Sequence, residues 1–247
     1  MVKNTDIESI SSHFSEFLSP VVSESREHAE NSFRIRHHVY CEELKFEQTN
    51  PQEMECDEFD EHSIHCLIQH KTTGNYAGTV RLITSSSEEQ KLPIEIYCGD
   101  AIEKNDLFPS NFAREDICEI SRLAVPAEFR RRQMDKFDGA AVGAINEQTY
   151  SATELRCFPF IAVGLYLSAT SILIRKNINH CYVMVEPRLA RSMRFVGLPF
   201  EQIGPVIDYH GKRAPYYIRP QAVPGKLNPA FKELLDNIDH EIILQYS

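Results

Sequence analysis

Hydrophobic positions recur at helical intervals near both ends of the chain and gather into continuous runs through its middle. Ile7, Ile10, Phe14 and Leu18 repeat every three or four residues until Pro20, the pattern of an amphipathic helix stopped by proline. A second helical stretch runs from Ser23 through Ala29, Phe33, Arg36 and Tyr40 towards Leu44, with Arg36 and Tyr40 four apart and so on one face. Two apolar runs, Ile64 to Gln69 and Tyr76 to Ile83, flank a Thr-Gly-Asn turn at 73–75 and predict a β-hairpin. A third strand is predicted over EISRLAV, Glu119 to Val125, and the region 93–111 reads as a short strand and a helical turn. Residues 159–178 are apolar nearly all round, which predicts a buried helix with Pro159 in its first turn. HCYVMVE (180–186) is a strand, Pro187 to Gly197 a short helix, and QIGPVIDYHGKRAPYYI a hairpin. The chain closes on a helix over 228–245 with Asn228 as cap and Pro229 as first residue.

Helices, then antiparallel strands, then alternating strands and helices imply an α/β domain around one mixed sheet. We expect a single domain over 1–247, with a core from about 24 to 220 and the C-terminal helix beyond it. Residues 133–157 carry no pattern that assigns them an element. The acidic connection FEQTNPQEMECDEFDEHS is longer than most loops, and long ordered loops in compact domains are usually functional.

Composition narrows the classes of function. With 247 residues, 42% of them hydrophobic, the chain can bury a substantial core. A net charge of -10 argues against nucleic acid, which needs a broad positive field. The one basic run is short: Arg130, Arg131 and Arg132, with Lys136 nearby. Seven scattered cysteines without a C-x-x-C pair fit a reduced cytoplasm better than a disulfide framework. His62, His65 and Cys66 lie near Asp57 and Asp60 but lack zinc spacing, so no metal is expected. Cys66 and Cys118 read as small core residues, His37 and His38 as helix-surface residues. No apolar run reaches the roughly 18 residues that span a membrane, and Asp6, Glu8, Ser11 and Ser12 interrupt any signal-peptide core. A cytoplasmic protein is expected.

Six charged residues resist explanation as surface: Arg36, Asp57, Asp60, Arg81, Glu119 and Arg122. Arg81 lies inside the apolar TVRLI and Arg122 inside SRLAV, where a guanidinium needs carboxylate partners. Asp57 and Asp60 can supply them and so pin the acidic loop over the strands. By strand alternation Glu119, Ser121 and Leu123 share one face, with Ile120, Arg122 and Ala124 on the other.

These residues also carry a resemblance. R-x-x-V-Y-x-E-E-L-x-F (Arg36 to Phe46), D-x-x-D (Asp57, Asp60), the arginine of GTVRLI and EISRLAV resemble, in order and spacing, the signature of the acyl-homoserine-lactone (autoinducer) synthases. They also resemble the N-acyl amino acid synthases and the acyltransferases associated with PEP-CTERM/exosortase systems, and the tail IGPVIDYHGKRAPYYI looks most like these last two groups. The resemblance covers about 36 to 218 and implies the GNAT (Gcn5-related N-acetyltransferase) fold. Two departures stand out. Autoinducer synthases usually have tryptophan where this chain has Phe46, and the chain contains none. The turn after the EISRLAV strand, PAEFRRRQMDKFDG, has no glycine before Gly139, whereas ordinary GNAT enzymes use a glycine-containing loop to cradle the pyrophosphate of coenzyme A.

The resemblance implies an N-acyltransferase that moves a fatty acyl group from acyl carrier protein to the amine of an amino acid or a similar small acceptor. Glu119 would be the general base, and backbone N–H groups near Leu123 to Val125 would polarise the thioester carbonyl. Arg36, Tyr40, Phe46, Asp57, Asp60, Arg81, Ser121 and Arg122 would form the acceptor pocket. Phe160, Ile161, Leu165 and Leu167 would line an acyl tunnel, and Arg130, Arg131, Arg132 and Lys136 would dock the acidic carrier. No permanently bound cofactor is implied; acyl-phosphopantetheine or acyl-CoA is a substrate. The alternatives are a homoserine-lactone synthase using S-adenosylmethionine, a coenzyme A-dependent acetyltransferase, and a non-catalytic module that binds acyl carrier protein or lipid.

Overall fold

The computed structural model describes residues 4–130, 160–209 and 211–246. An eight-stranded sheet in the order β1-β2-β3-β4-β5-β8-β6, with β7 paired to β8, organises the molecule. Its strands are β1 (Leu18–Val22), β2 (Ser63–His70), β3 (Tyr76–Thr84), β4 (Ile117–Ala124), β5 (His180–Val185), β6 (Glu201–Gln202), β7 (Ile207–Asp208) and β8 (Lys212–Ile218). Every pairing is antiparallel except β4 with β5. The helices are α1 (Asn4–Phe17), α2 (Arg26–Arg36), α3 (Pro93–Tyr97), α4 (Ile161–Arg175), α5 (Pro187–Val196) and α6 (Pro229–Gln245). The expected mixed, mostly antiparallel sheet flanked by helices is borne out.

Alternation along the strands sorts the two faces. Cys66, Ile68, Val80, Leu82, Cys118, Ile120, Cys181, Val183, Ala214 and Tyr216 point into the main apolar core, against α4 and the terminal helices. Ile161, Leu165 and Leu167 are fully buried there, and α4 has no polar face because it is covered on nearly all sides. Gly197 ends α5 in the left-handed region at φ 104°, and a Cβ on it would stand 2.4 Å from the Lys226 carbonyl oxygen; only glycine fits that cap. On the opposite face, α2 covers one half of the sheet around Ile35, Val39 and Leu67. The segment 92–112 covers the other half around Ile83, Ile117, Tyr182 and Met184. The gap between these two covers is where the charged strand residues emerge.

Four local expectations change. Pro20 does not simply stop a helix: residues 18–22 form the edge strand β1, a position where a missing N–H is tolerated, so the sheet begins ahead of residue 24. The region 93–111 forms helix α3 and short 3-10 turns, with no strand. Asn228 precedes α6, but its side chain bonds the Phe195 carbonyl and leaves the helix N–H groups uncapped. After Arg36 the helix widens into a π-helical turn, His37–Glu43, which turns His37 inward to 2% exposure while His38 stays exposed.

Candidate active site

The acidic loop folds back on itself before it meets the sheet. Asp57 and Asp60 form a reciprocal capping box on the turn Glu58–His62: Phe59 N–H donates to Asp57 Oδ1 at 3.0 Å and Asp57 N–H to Asp60 Oδ2 at 2.8 Å. Both carboxylates are thereby aimed at the strands. Arg36 donates bidentately to Asp60, at 2.7 and 3.1 Å, and through Nε to Glu55. Arg81 donates to Asp60 at 2.9 Å, to Asp57, and through Nε to Ser121 Oγ at 3.0 Å. Arg122 donates to Glu55 at 3.1 Å and to Asp57 at 3.4 Å. Burial opposes ionisation of Asp60, yet the Arg36 hydrogen bond and the nearby Arg81 hold its carboxyl well below the usual range. At Arg36 burial is likewise outweighed, by the hydrogen bonds and charges of Asp60 and Glu55, which raise its pKa.

Arg122 reaches this network because the strand is irregular. Simple alternation puts it on the apolar face, but its backbone is left-handed at φ 48° and the β3–β4 register shifts between Thr79 and Arg81. The bulge swings the side chain round to join Glu119 and Ser121. The strand's face assignment is thus corrected from Arg122 onward: Leu123 packs against the main core and Ala124 joins Ile35, Val39 and Leu67 on the α2 face.

Glu119 stands apart from the ion pairs. The third carboxylate of the network is Glu55, indistinguishable in sequence among the acids of its loop, and Glu119 forms no salt bridge among the described residues. Its Oε2 accepts the Ile94 N–H from the start of α3 at 2.7 Å. Burial pushes its pKa up to about 8, against the pull of that N–H and of Arg81 and Arg122. The carboxyl lines a cavity of about 60 Å³ with Tyr40, Phe46, Arg81, Ser121, Arg122 and Arg213. Outward, past Asp57, Phe59 and Tyr97, the space widens to a cleft of about 280 Å³.

Beside Glu119 the sheet splays. The parallel pairing of β4 with β5 ends at Ile120–Val183, while β5 continues alongside β8 as far as Val185–Ala214. From Ser121 onward β4 has no partner on that side among the described residues, and this opening contains Leu123 and leads to Val125. Tyr40, beneath the Arg122 guanidinium at 5.7 Å, donates its hydroxyl proton to the Leu123 carbonyl at 2.7 Å.

The remaining candidates disperse. Arg130 is exposed and pairs with Glu43, while Arg131, Arg132 and Lys136 lie outside the described residues, as does 133–157. Ile161, Leu165 and Leu167 sit in the core on the far face of the sheet, and Phe160 is half-buried beside Phe231. His65 is buried near Asp60, and burial lowers its pKa to about 4, so it is neutral. Cys66 and Cys118 are completely buried. Sequence reading missed Glu55, Met184, Tyr209 and Arg213; strand alternation from Tyr217 back to Arg213 in β8 is the signal that could have found the last.

Residues 35–138 match the acetyltransferase (GNAT) domain family, a span that runs from the end of α2 through the acidic loop and strands β2 to β4. No curated protein matches the sequence. Among solved structures, the acyl-homoserine-lactone synthase LasI superposes with a TM-score of 0.58 at 14% identity, over 85% of this chain and 96% of its own. BjaI, a CoA-dependent acyl-homoserine-lactone synthase solved with SAM and isopentyl-CoA, gives 0.57 at 14% identity over 91% and 89%. FeeM, an N-acyl amino acid synthase from uncultured soil microbes, gives 0.54 at 13% identity over 85% and 94%. The expected GNAT fold is borne out by these matches. Residues 35–138 thus resemble the acetyltransferase (GNAT) domain family, and the chain adopts the fold of the acyl-homoserine-lactone and N-acyl amino acid synthases to which it is similar.

Proposed function

We propose that the protein transfers a fatty acyl group from a carrier-protein thioester to the amine of an amino acid or a similar small acceptor. The observation that carries this reading is Glu119: a carboxyl with no ion-pair partner among the described residues, its pKa pushed up to about 8, facing a cavity beside the splayed strands. A base with a pKa close to the working pH is effective at taking a proton from an attacking nitrogen. The acceptor's ammonium loses its proton to the Glu119 carboxylate, directly or through water. The nitrogen then attacks the thioester carbonyl, a C–N bond forms, the C–S bond breaks and the thiol leaves with a proton. Backbone N–H groups near Leu123 to Val125 are suited to polarise the carbonyl. The paired Arg36, Arg81 and Arg122 with Asp57, Asp60 and Glu55 give the acceptor a polar wall, and Tyr40, Phe46 and Ser121 complete it.

The donor rests on the glycine-free sequence after β4 and on the basic run from Arg130. Acyl-phosphopantetheine has no pyrophosphate to cradle, and an acidic carrier suits the basic run; both belong to a cytoplasmic reaction. A second reading, a coenzyme A thioester, is favoured by the likeness to the CoA-dependent BjaI. Incubation with dodecanoyl-carrier protein or dodecanoyl-CoA, each with the twenty amino acids and S-adenosylmethionine, separates these readings by product mass. An acylated amine that disappears with Glu119→Gln is the expected result. No acylated product from any pair would overturn the function, and unchanged turnover in the variant would overturn the role of the base.

A further inference from the structure

Two of the three arginines that line the inner cavity are neutralised by the acidic loop, and the third is not. Arg36 is paired behind the cavity wall, while Arg81 and Arg122 line the cavity with their guanidiniums engaged by Asp57, Asp60 and Glu55. Arg213, half-buried at the start of β8, lines the same cavity as Glu119 and forms no side-chain hydrogen bond or ion pair among the described residues. Its place is fixed by the fold: β8 alternates Ala214 and Tyr216 into the core, which turns Arg213 to the face that carries Arg81, Glu119 and Ser121. It also lies across the splay from β4, since β8 is the strand that continues β5 where β4 departs.

An unpaired, partly desolvated guanidinium favours a bidentate anion. Two anions are candidates in an acyl transfer: a carboxylate on the acceptor and the phosphate of the donor. The donor's phosphate is separated from its thioester by the whole pantetheine arm, so it cannot share a cavity of about 60 Å³ with the base that serves the reacting nitrogen. An α-amino acid carries amine and carboxylate on one carbon and can present them to opposite walls of so small a space. We propose that Arg213 binds the carboxylate of the acceptor, so that the enzyme acts on α-amino acids rather than on amines without a carboxylate. The inference rests on the acyl-transfer reading and deepens it.

The test crosses two deletions. Wild type and Arg213→Gln are assayed with the best amino acid found by the product-mass experiment, with its decarboxylated amine and with its methyl ester. Wild type is expected to favour the amino acid over either analogue by about 10²-fold in kcat/KM, the scale of losing one partner of a buried charge pair. In Arg213→Gln that preference is expected to collapse, with the loss in KM for the amino acid and the KM for the donor unchanged. An equal preference in wild type, or a variant that loses the same factor on all three acceptors, would overturn the inference. A raised donor KM would reassign Arg213 to the phosphate. Thermal shift gives a readout independent of turnover: amino acids at 10 mM, a concentration of about that order being ample for a weak carboxylate site, should raise the Tm of wild type and not of the variant. A Tm unchanged by all twenty would count against the carboxylate site; a shift without any acyl transfer would retain the site and remove only the function.

Discussion

The molecule contains two buried arginine–carboxylate clusters on the same side of its sheet, and they are finished differently. Arg114 and Glu95 close on each other: Nη1 and Nη2 bond the two carboxylate oxygens at 3.0 and 2.9 Å, Nε bonds Ser85 Oγ, and Nη2 also bonds the Gln90 carbonyl. Glu95 further accepts the Leu92 N–H. Each of the three guanidinium nitrogens has an acceptor, and the pair pins α3, whose Ile94 N–H holds Glu119. The cluster around Arg36, Arg81 and Arg122 is equally dense in bonds, yet beside it stand Glu119 and Arg213 with no ion pair among the described residues. A closed pair fixes structure; a nearly closed one leaves two groups in a cavity with chemistry to perform.

The sharpest break between the clusters is Glu119→Gln. Glutamine keeps an acceptor for the Ile94 N–H and loses the base, so kcat should fall by about 10²- to 10⁴-fold with circular dichroism unchanged. The rate of the parent enzyme should rise as pH passes through about 8, and a flat profile would assign the base elsewhere. The same shift sets a sign for stability. A carboxyl whose folded pKa lies above its unfolded value contributes most below the unfolded value and loses that contribution as pH rises through the folded one. Glu119→Gln should therefore match the parent's denaturation midpoint at pH 4 and exceed it at pH 9.

The next effect belongs to the closed cluster. Arg114→Met strands Glu95 and should cost about 3–5 kcal/mol in urea unfolding. At the site, Arg122→Gln removes a guanidinium whose side chain is 25% exposed. It should cost less stability than Arg114→Met but raise the acceptor's KM, whereas Arg114→Met should leave that KM near its parent value at temperatures where it is folded. The smallest effect is expected at the rim. Arg130→Ala breaks an exposed pair with Glu43 and should change stability by less than about 1 kcal/mol. A raised KM for acyl carrier protein at low salt would support its docking role.

Much of this was legible before the coordinates because it follows from periodicity. The runs that became β2, β3, β4, β5 and α4 announce themselves by hydrophobic spacing, and the charges inside TVRLI and SRLAV mark the site because buried ions need partners. What escaped has a common physical origin. Arg122 changes face through a backbone bulge that alternation assumes away. Pro20 signals a break, yet an edge strand accepts it. Glu55 looks like its exposed neighbours because a contact across 67 residues leaves no local trace, and Arg213 sits in a polar hairpin end where an unpaired cation is unremarkable until the cavity is seen.

The left-handed backbone at Arg122 has a consequence for how the pocket comes into being. A residue with a side chain occupies that conformation at a cost of about 1–2 kcal/mol, here opposed by bonds to a loop far away in the chain. Without Glu55 and Asp57 in place, the end of β4 would relax towards ordinary extended geometry and carry the guanidinium to the other side of the sheet. The shape of the pocket therefore depends on the acidic segment as much as on the strand that bears the guanidinium.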